Sequence, residues 1–294
     1  RDVAPSRGLG DVYKRQFELF SKYKWRIIAV ILIIVLAVCA FNLLNQSEID
    51  VTFYQVRSDK VSDNIRIVVL ADLHLKEFGK DNIRLVEQID KLTPDIIACV
   101  GDMNNLKNDD YSVVTNLCEK LVNIAPVYYA LGNNEYEAKL FKDSNITKDL
   151  KVVGVHVLDD ASEIVDIKDT KLNIGGLSQG PEQFERYGHQ FFDKYIEEDY
   201  FKLLLVHYPD EFMGILEDYP IDLALCGHAH GGQVRIPFVG GLYAAGQGFF
   251  PKLVDGFHQI GNSNVIISRG LGSSHIIPRI NNKPELCVVD LCWY

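Results

Sequence analysis

Seven side chains of the types that bind transition metals fall in five short motifs: Asp72-x-His74, Gly101-Asp102, Gly132-Asn133, His207 and Gly227-His228-Ala229-His230. Imidazole nitrogens mixed with carboxylate oxygens suit Mn, Fe or Zn, whereas an all-oxygen set would suit Mg or Ca. Seven ligands exceed the needs of one tetrahedral ion and suffice for two if one carboxylate bridges. Paired divalent ions roughly 3.5–4 Å apart activate water and clamp the oxygens of a phosphoryl group during in-line displacement. Two carboxylates leave such a pair with residual positive charge, an attraction for phosphate on an otherwise acidic protein. Each motif alone is weak, because Asp-x-His and Gly-Asp recur by chance. Their joint placement carries the weight.

Every one of them ends an apolar run. Ile65–Leu70 leads into Asp72 and His74, Ile96–Val100 into Asp102, Val127–Leu131 into Asn133, Leu203–Val206 into His207, and Leu223–Cys226 into His228 and His230. Short continuous apolar runs bounded by Gly, Asp or Asn are the pattern of strands covered on both faces. Between the first three runs, Asn82–Leu92 and Tyr111–Ile124 follow helical spacing. Strand alternating with helix argues an α/β layered domain, whose ligand crevice lies at the carboxyl ends of the strands. Val51–Val56 reads as a further short strand. Val265–Ser268 and Leu286–Leu291 read as strands that complete a second sheet in antiparallel pairs. Gly231–Gly248 is rich in glycine and carries no helical period.

Composition limits the alternatives. The chain has 294 residues, 47% hydrophobic and 24% charged, which excludes a disordered or low-complexity protein. Six Cys without a C-x-x-C pair exclude a disulfide scaffold or a Cys-based zinc knuckle. Cys99, Cys226, Cys287 and Cys292 lie in apolar runs and read as small core hydrophobes. The net charge of −10 divides into +4 over residues 1–26 and −14 over the rest. So acidic a body disfavours nucleic acid as a partner.

From Ile27 to Phe41 every residue is apolar, with Lys22, Lys24 and Arg26 before the run and Glu48 and Asp50 after it. The run is short for a bilayer, yet no polar face interrupts it, and it is read as a membrane span over a core helix. A cleavable signal peptide is the other alternative; Leu36-Ala37-Val38-Cys39 is a poor lipoprotein site. Basic residues on its N-terminal side place the N-terminus inside and the body outside the cell membrane, as a single-pass protein. The expected organisation is a cytoplasmic tail over 1–24, a transmembrane helix over 25–44, a linker with the first strand over 45–63, and the catalytic domain over 64–294. Residues 1–16 have the look of translated adapter read-through and are set aside.

The five motifs together resemble the ordered signature of calcineurin-like metallophosphoesterases. The stretches at Gly231–Pro251 and Ser268–Leu271 resemble the membrane-anchored bacterial branch of YkuE- and YaeI-type phosphodiesterases. The resemblance implies a β-sandwich of two mixed sheets flanked by helices. It implies that Asp72, His74 and His230 hold one ion, that Asn133, His207 and His228 hold the other, and that Asp102 bridges them. A hydroxide between the ions would attack phosphorus in line with the leaving group. The implied substrates are phosphodiesters or pyrophosphates, small or lipid-linked. One position departs from the family pattern: Asn134 stands where a catalytic His belongs. An amide donates hydrogen bonds but no proton at neutral pH, so alkoxide leaving groups should be slow and aryl or pyrophosphate ones less affected. The competing reading is a catalytically weak metal-binding protein that holds a phosphorylated envelope ligand.

Other residues are candidates by position. Arg269 and His275, flanking Gly270–Ser274, are expected to reach substrate phosphate, His275 as a substitute acid. Glu135 and Tyr136 either shape the pocket or open a helix. Phe249 and Phe250 read as core packing ahead of a lipid groove. His156, His189 and His258 read as exposed.

Overall fold

The structure is a computed structural model that describes residues 9–142, 144–178, 189–212, 214, 216–273 and 278–294. Two units divide the chain, the first ending at Asn45 and the second running over Gln46–Tyr294.

The first unit is a helix, α1 (Leu9–Asn45). Its side chains from Ile27 to Ile33, and Leu36, stand exposed. Among the described residues no helix is long and apolar enough to cross a membrane. Within the expected span 25–44, the side chains of 34, 35, 38, 39, 41, 43 and 44 lie outside the described residues.

In the second unit, apolar runs become strands as expected: β1 (Asp50–Arg57), β2 (Ile65–Leu70), β3 (Ile96–Val100), β4 (Val127–Ala130), β8 (Phe201–Val206), β9 (Leu223–Cys226), β15 (Ser263–Ile267) and β16 (Glu285–Cys292). Less legible are β5 (His156–Leu158), the edge strand β6 (Ala161–Ile167), β7 (Thr170–Leu177), β14 (Gly256–Ile260), and two small hairpins. These hairpins are β10 (Arg235–Ile236) with β11 (Gly240–Gly241), and β12 (Tyr243–Ala244) with β13 (Gly248–Phe249).

One sheet has the order β1-β16-β2-β3-β4-β5 and the other β14-β15-β9-β8-β7-β6. Both are mixed. In the first, only β16 against β2 is antiparallel; in the second, β14 against β15 and β6 against β7. The expectation for β16 needs correcting. It joins the first sheet, where Leu286 to Leu291 lie between β1 and β2, because both of its faces are apolar and both partners in that sheet offer a matching register.

Side-chain alternation splits each central strand between two cores. Ile65, Ile67 and Val69 of β2 and Ile96, Ala98 and Val100 of β3 face Leu203 and Leu205 of β8 and Leu223 and Leu225 of β9. The opposite residues, Val68, Leu70, Ile97 and Cys99, pack beneath α2 (Ile83–Lys91), α3 (Ser112–Leu121) and α5 (Ile146–Val152). Helix α3 buries Val114, Leu117, Cys118 and Leu121 at the spacing of one helical face. The second sheet's outer face carries Leu204, Val206, Ala224 and Cys226 against Phe191, Phe192 and Tyr195 of α6 (His189–Tyr195). The result is helix, sheet, sheet, helix, which explains why the strands read as unbroken apolar runs. Cys99, Cys118, Cys226 and Cys287 are buried and Cys292 partly so, all as free thiols.

Candidate metal centre

The strand ends converge. Asp72 and His74 follow β2, Asp102 follows β3, Asn133 opens α4 (Asn133–Phe141) after β4, His207 follows β8, and His228 and His230 follow β9. Ligand atoms of Asp72, His74 and His230 lie within 4.8 Å of one another, and so do those of Asp102, His207 and His228.

Distances between these atoms argue for cations between them. His74 Nε2 stands 3.3 Å from His230 Nε2, and His228 Nδ1 stands 3.3 Å from His207 Nε2. Two nitrogens bound to one tetrahedral ion at about 2.0–2.1 Å are roughly 3.3 Å apart. Asp72 Oδ1 is 3.6 Å from His230 Nε2 and 3.8 Å from His74 Nε2. Asp102 Oδ2 reaches both groups, 3.9 Å from His74 Nε2 and 3.5 Å from His207 Nε2. The terminal amide atom of Asn133 lies 3.2 Å from both Asp102 Oδ2 and His228 Nδ1. As an oxygen it meets only acceptors, an arrangement that a cation in their midst makes favourable. The donor set therefore fits two divalent ions.

Backbone conformation marks the same residues. Asp72, His74, Asp102, His228 and His230 all adopt left-handed φ, between 48° and 66°. Such φ values are uncommon outside glycine and cost of order 1 kcal/mol each, and they gather where function over-determines the geometry. Gly132 leaves room for a carboxylate: a Cβ there would meet Asp102 Oδ1 at 2.2 Å.

Surrounding groups fix the rings and carboxylates. His207 Nδ1 donates to Val100 O at 2.8 Å and His74 Nδ1 to Asn105 Oδ1 at 2.9 Å, leaving both Nε2 lone pairs for an ion. The backbone N–H of His228 donates to both oxygens of Asp72. Glu135 is buried and accepts from Asp102 N (2.8 Å), Asn104 N (2.9 Å), Gly132 N (3.0 Å) and Tyr129 Oη (3.1 Å). It ties the loop after β3 to the start of α4.

Charges are strongly coupled. Burial, with Asp102 nearby, pushes Asp72 up to about 7. Burial also acts on Asp102, but the charges of His207 and His74 and the Asn134 N–H outweigh it and hold the carboxyl down at about 2. His207 resists the same burial because Asp102 and Asp72 raise it to about 10.

Asn134 and Arg269 have partners within the protein. Asn134 Nδ2 donates to Asp102 Oδ2 (2.6 Å), its N–H donates to Asp102 Oδ1 (2.9 Å), and its Oδ1 accepts from Leu106 N (3.1 Å). Its amide braces the shared carboxylate. Arg269, expected on phosphate, pairs instead with Glu285 Oε1 (3.0 Å) and Asp50 (3.5 Å), because β16 brings Glu285 alongside it. His275 lies outside the described residues. Phe249 and Phe250 are exposed rather than packed in the core. His156 is half-buried, bonded to Glu163 and stacked on Tyr128, and His258 bonds Asp255 O. The side chain of His189 lies outside the described residues.

Sequence reasoning missed Asn105, Arg279 and Asn282. Arg279 is buried and donates to the carbonyls of Gly272 and Arg269, each at 2.7 Å. Asn282 Nδ2 donates to His230 O at 2.7 Å. No local pattern distinguishes these residues, since their partners are remote or irregular in sequence.

The sequence pattern of the calcineurin-like phosphoesterases matches residues 65–232. Phosphodiesterase YaeI of Escherichia coli (strain K12) is 29% identical over 77% of this chain and 82% of its own length. The uncharacterized metallophosphoesterase YkuE of Bacillus subtilis (strain 168) is 27% identical over 83% and 85%. Among solved structures, TT1561 of Thermus thermophilus superposes with a TM-score of 0.47 at 13% identity, over 70% of this chain and 90% of that one.

Proposed function

Because this chain belongs to the calcineurin-like phosphoesterase family and is therefore a metal-dependent phosphoric ester hydrolase taking two divalent ions, we propose that it cleaves phosphodiester or pyrophosphate bonds with good leaving groups at a membrane surface. The observation that carries the reading is the pair of ligand clusters joined through Asp102 Oδ2. Asp72, His74 and His230 would hold one ion, Asn133, His207 and His228 the other, and Asp102 stands within reach of both groups. When bound, such ions act as Lewis acids on phosphoryl oxygens and acidify water.

The protein's own residues do the rest. Val100 O and Asn105 set the imidazole tautomers, and Glu135 fixes the turn that presents Asp102. Asn134 donates both its backbone N–H and Nδ2 to Asp102, and its amide carries no proton acidic enough to give to a departing alkoxide. Leaving groups that depart as stable anions, phosphate or aryloxide, suit this arrangement best. The apolar run before Gln46 and its basic flank support an anchor that holds the catalytic unit outside the membrane, with a lipid-linked or other phosphorylated substrate and no nucleic acid.

The test is bis-p-nitrophenyl phosphate hydrolysis with Mn²⁺ alongside metal analysis. Two equivalents of metal with turnover support the reading; ligand binding without turnover, or one equivalent, overturns it.

A further inference from the structure

The segment from Ile236 to Pro251 holds no charged residue, although a quarter of the chain is charged. It forms the two hairpins β10–β11 and β12–β13, and its largest apolar side chains are exposed, while Ala244 is buried and Leu242 half-buried. Phe238 is 110% exposed, Phe249 72%, Phe250 61% and Val239 60%. The exposed Lys252 follows it, and Arg235 before it pairs with Asp255 Oδ1 at 2.9 Å. Large aromatic groups left in water on an uncharged surface mark a contact surface.

Backbone pairing indicates what that surface meets. Val234 bridges Ile280 in parallel, Leu242 N donates to Val234 O (2.8 Å), and Phe250 N donates to Leu242 O (2.9 Å). The other side of this strip receives the start of the second unit: Gln46 Nε2 donates to Arg279 O (3.3 Å) and Asn282 O (3.2 Å). Gln46 is two residues beyond the end of the expected span over 25–44. At about 5 Å per step, a few hydrogen-bonded links connect the point where the chain enters this unit to Phe250. Basic groups surround the entry point: Lys76 Nζ donates to Gln46 O, Arg84 to Ser47 O, and Lys283 pairs with Glu48.

From this juxtaposition we infer that the β10–β13 hairpins are a membrane-contact surface, with Phe238, Phe249 and Phe250 seated in the headgroup region of a lipid bilayer. Aromatic side chains favour that region, and basic neighbours favour anionic lipid. The inference rests on the anchoring proposed above. It also ties the bilayer to the metal centre. Gly232, two residues after His230, is so close to the hairpins that a Cβ on it would lie 2.3 Å from Gly241 Cα. A phosphoester in the headgroup layer would then approach the ions without leaving the membrane surface.

The test uses the full chain in phosphatidylcholine–phosphatidylglycerol vesicles with dibrominated acyl chains, which quench indole on contact. Phe238→Trp and Phe249→Trp are compared with Val152→Trp, an exposed site on α5, after subtracting the emission of Trp25 and Trp293. The expected result is a roughly twofold or greater loss of the added emission at both hairpin positions, and none at Val152. If the hairpin indoles are quenched no more than the Val152 control while Trp25 is quenched, the inference falls and the anchor stands. Quenched hairpin indoles beside an unquenched Trp25 uphold the inference and remove the anchor. No quenching anywhere removes both. Added emission shielded from bromolipid and from aqueous iodide alike, in a dimeric protein, assigns the surface to a second copy and overturns the inference.

Discussion

Beside Asp102 and His228, the imidazole of His207 is oriented by the main chain: it donates to the carbonyl of Val100, the last residue of a strand buried on both faces. Around His74 and His230 the orienting contacts come from side chains on loops, while Asp72 accepts from the backbone N–H of His228. His74 is aimed by Asn105, and the carbonyl of His230 is held by Asn282, which Arg279 braces in turn. Both clusters display imidazole and carboxylate ligands, yet the His207 ring is fixed by a strand carbonyl and the His74 ring by a replaceable side chain. Metal affinity in this fold is therefore set as much by what lies behind the imidazoles as by the imidazoles themselves. The cluster on the loops should be the first to lose its ion.

The largest effect belongs to the residue the clusters share. Asp102→Ala should eliminate the distinction by emptying both, lowering bis-p-nitrophenyl phosphate turnover by roughly 10³-fold or more. Metal analysis of that variant should find less than one equivalent.

Asn105→Ala separates the clusters. It should weaken one equivalent of metal by about 10–100-fold and leave the other unchanged, as two resolved steps in a calorimetric titration. Equal weakening of both would erase the contrast.

Asn134→His acts on the bridge between them. A proton donor at this position should raise alkyl phosphodiester turnover relative to aryl, within the roughly 10²–10⁴-fold range of general acid catalysis. An unchanged ratio would mean that the amide's hold on Asp102 is its whole role.

The smallest effect lies just beyond His207. Glu211 is buried, both carboxylate oxygens lack a hydrogen-bond partner among the described residues, and burial with Asp210 nearby raises its pKa to about 8 from 4.5. A raised acid contributes stability that is complete below the unfolded pKa and lost as pH climbs through the folded one. Thermal stability should therefore decline between pH 5 and 8. Glu211→Gln should flatten that decline, raising Tm by several degrees at pH 8 and leaving it unchanged at pH 5, as read by calorimetry.

The contrast between the clusters also shows how much is legible in the chain. Strands β2, β3, β4, β8 and β9 announce themselves because both faces are covered, and their polar ends point to the side chains that the fold gathers into the two candidate clusters. Apolarity specifies a strand and leaves its neighbour open, which is why it assigns β16 to the wrong sheet. Edge strand β6 alternates too weakly, and β7 is interrupted by Lys171, Asn173 and two glycines. Arg269 looks free beside a glycine turn because nothing local reveals Glu285. The supports of the loop cluster are the least legible part, since Asn282 acts on a residue about fifty positions away and Arg279 acts through it.

His207 stands at the end of one sheet and is hydrogen-bonded to the last residue of a strand in the other. With ions seated between Asp102 and His207, this junction becomes a rivet through both layers of the sandwich. Ligands that bind only the folded state add to its stability in proportion to their supply. Starvation for metal would then do more than slow turnover: it would loosen the layers and expose the chain to proteases, making the protein's lifetime a readout of the metal around it.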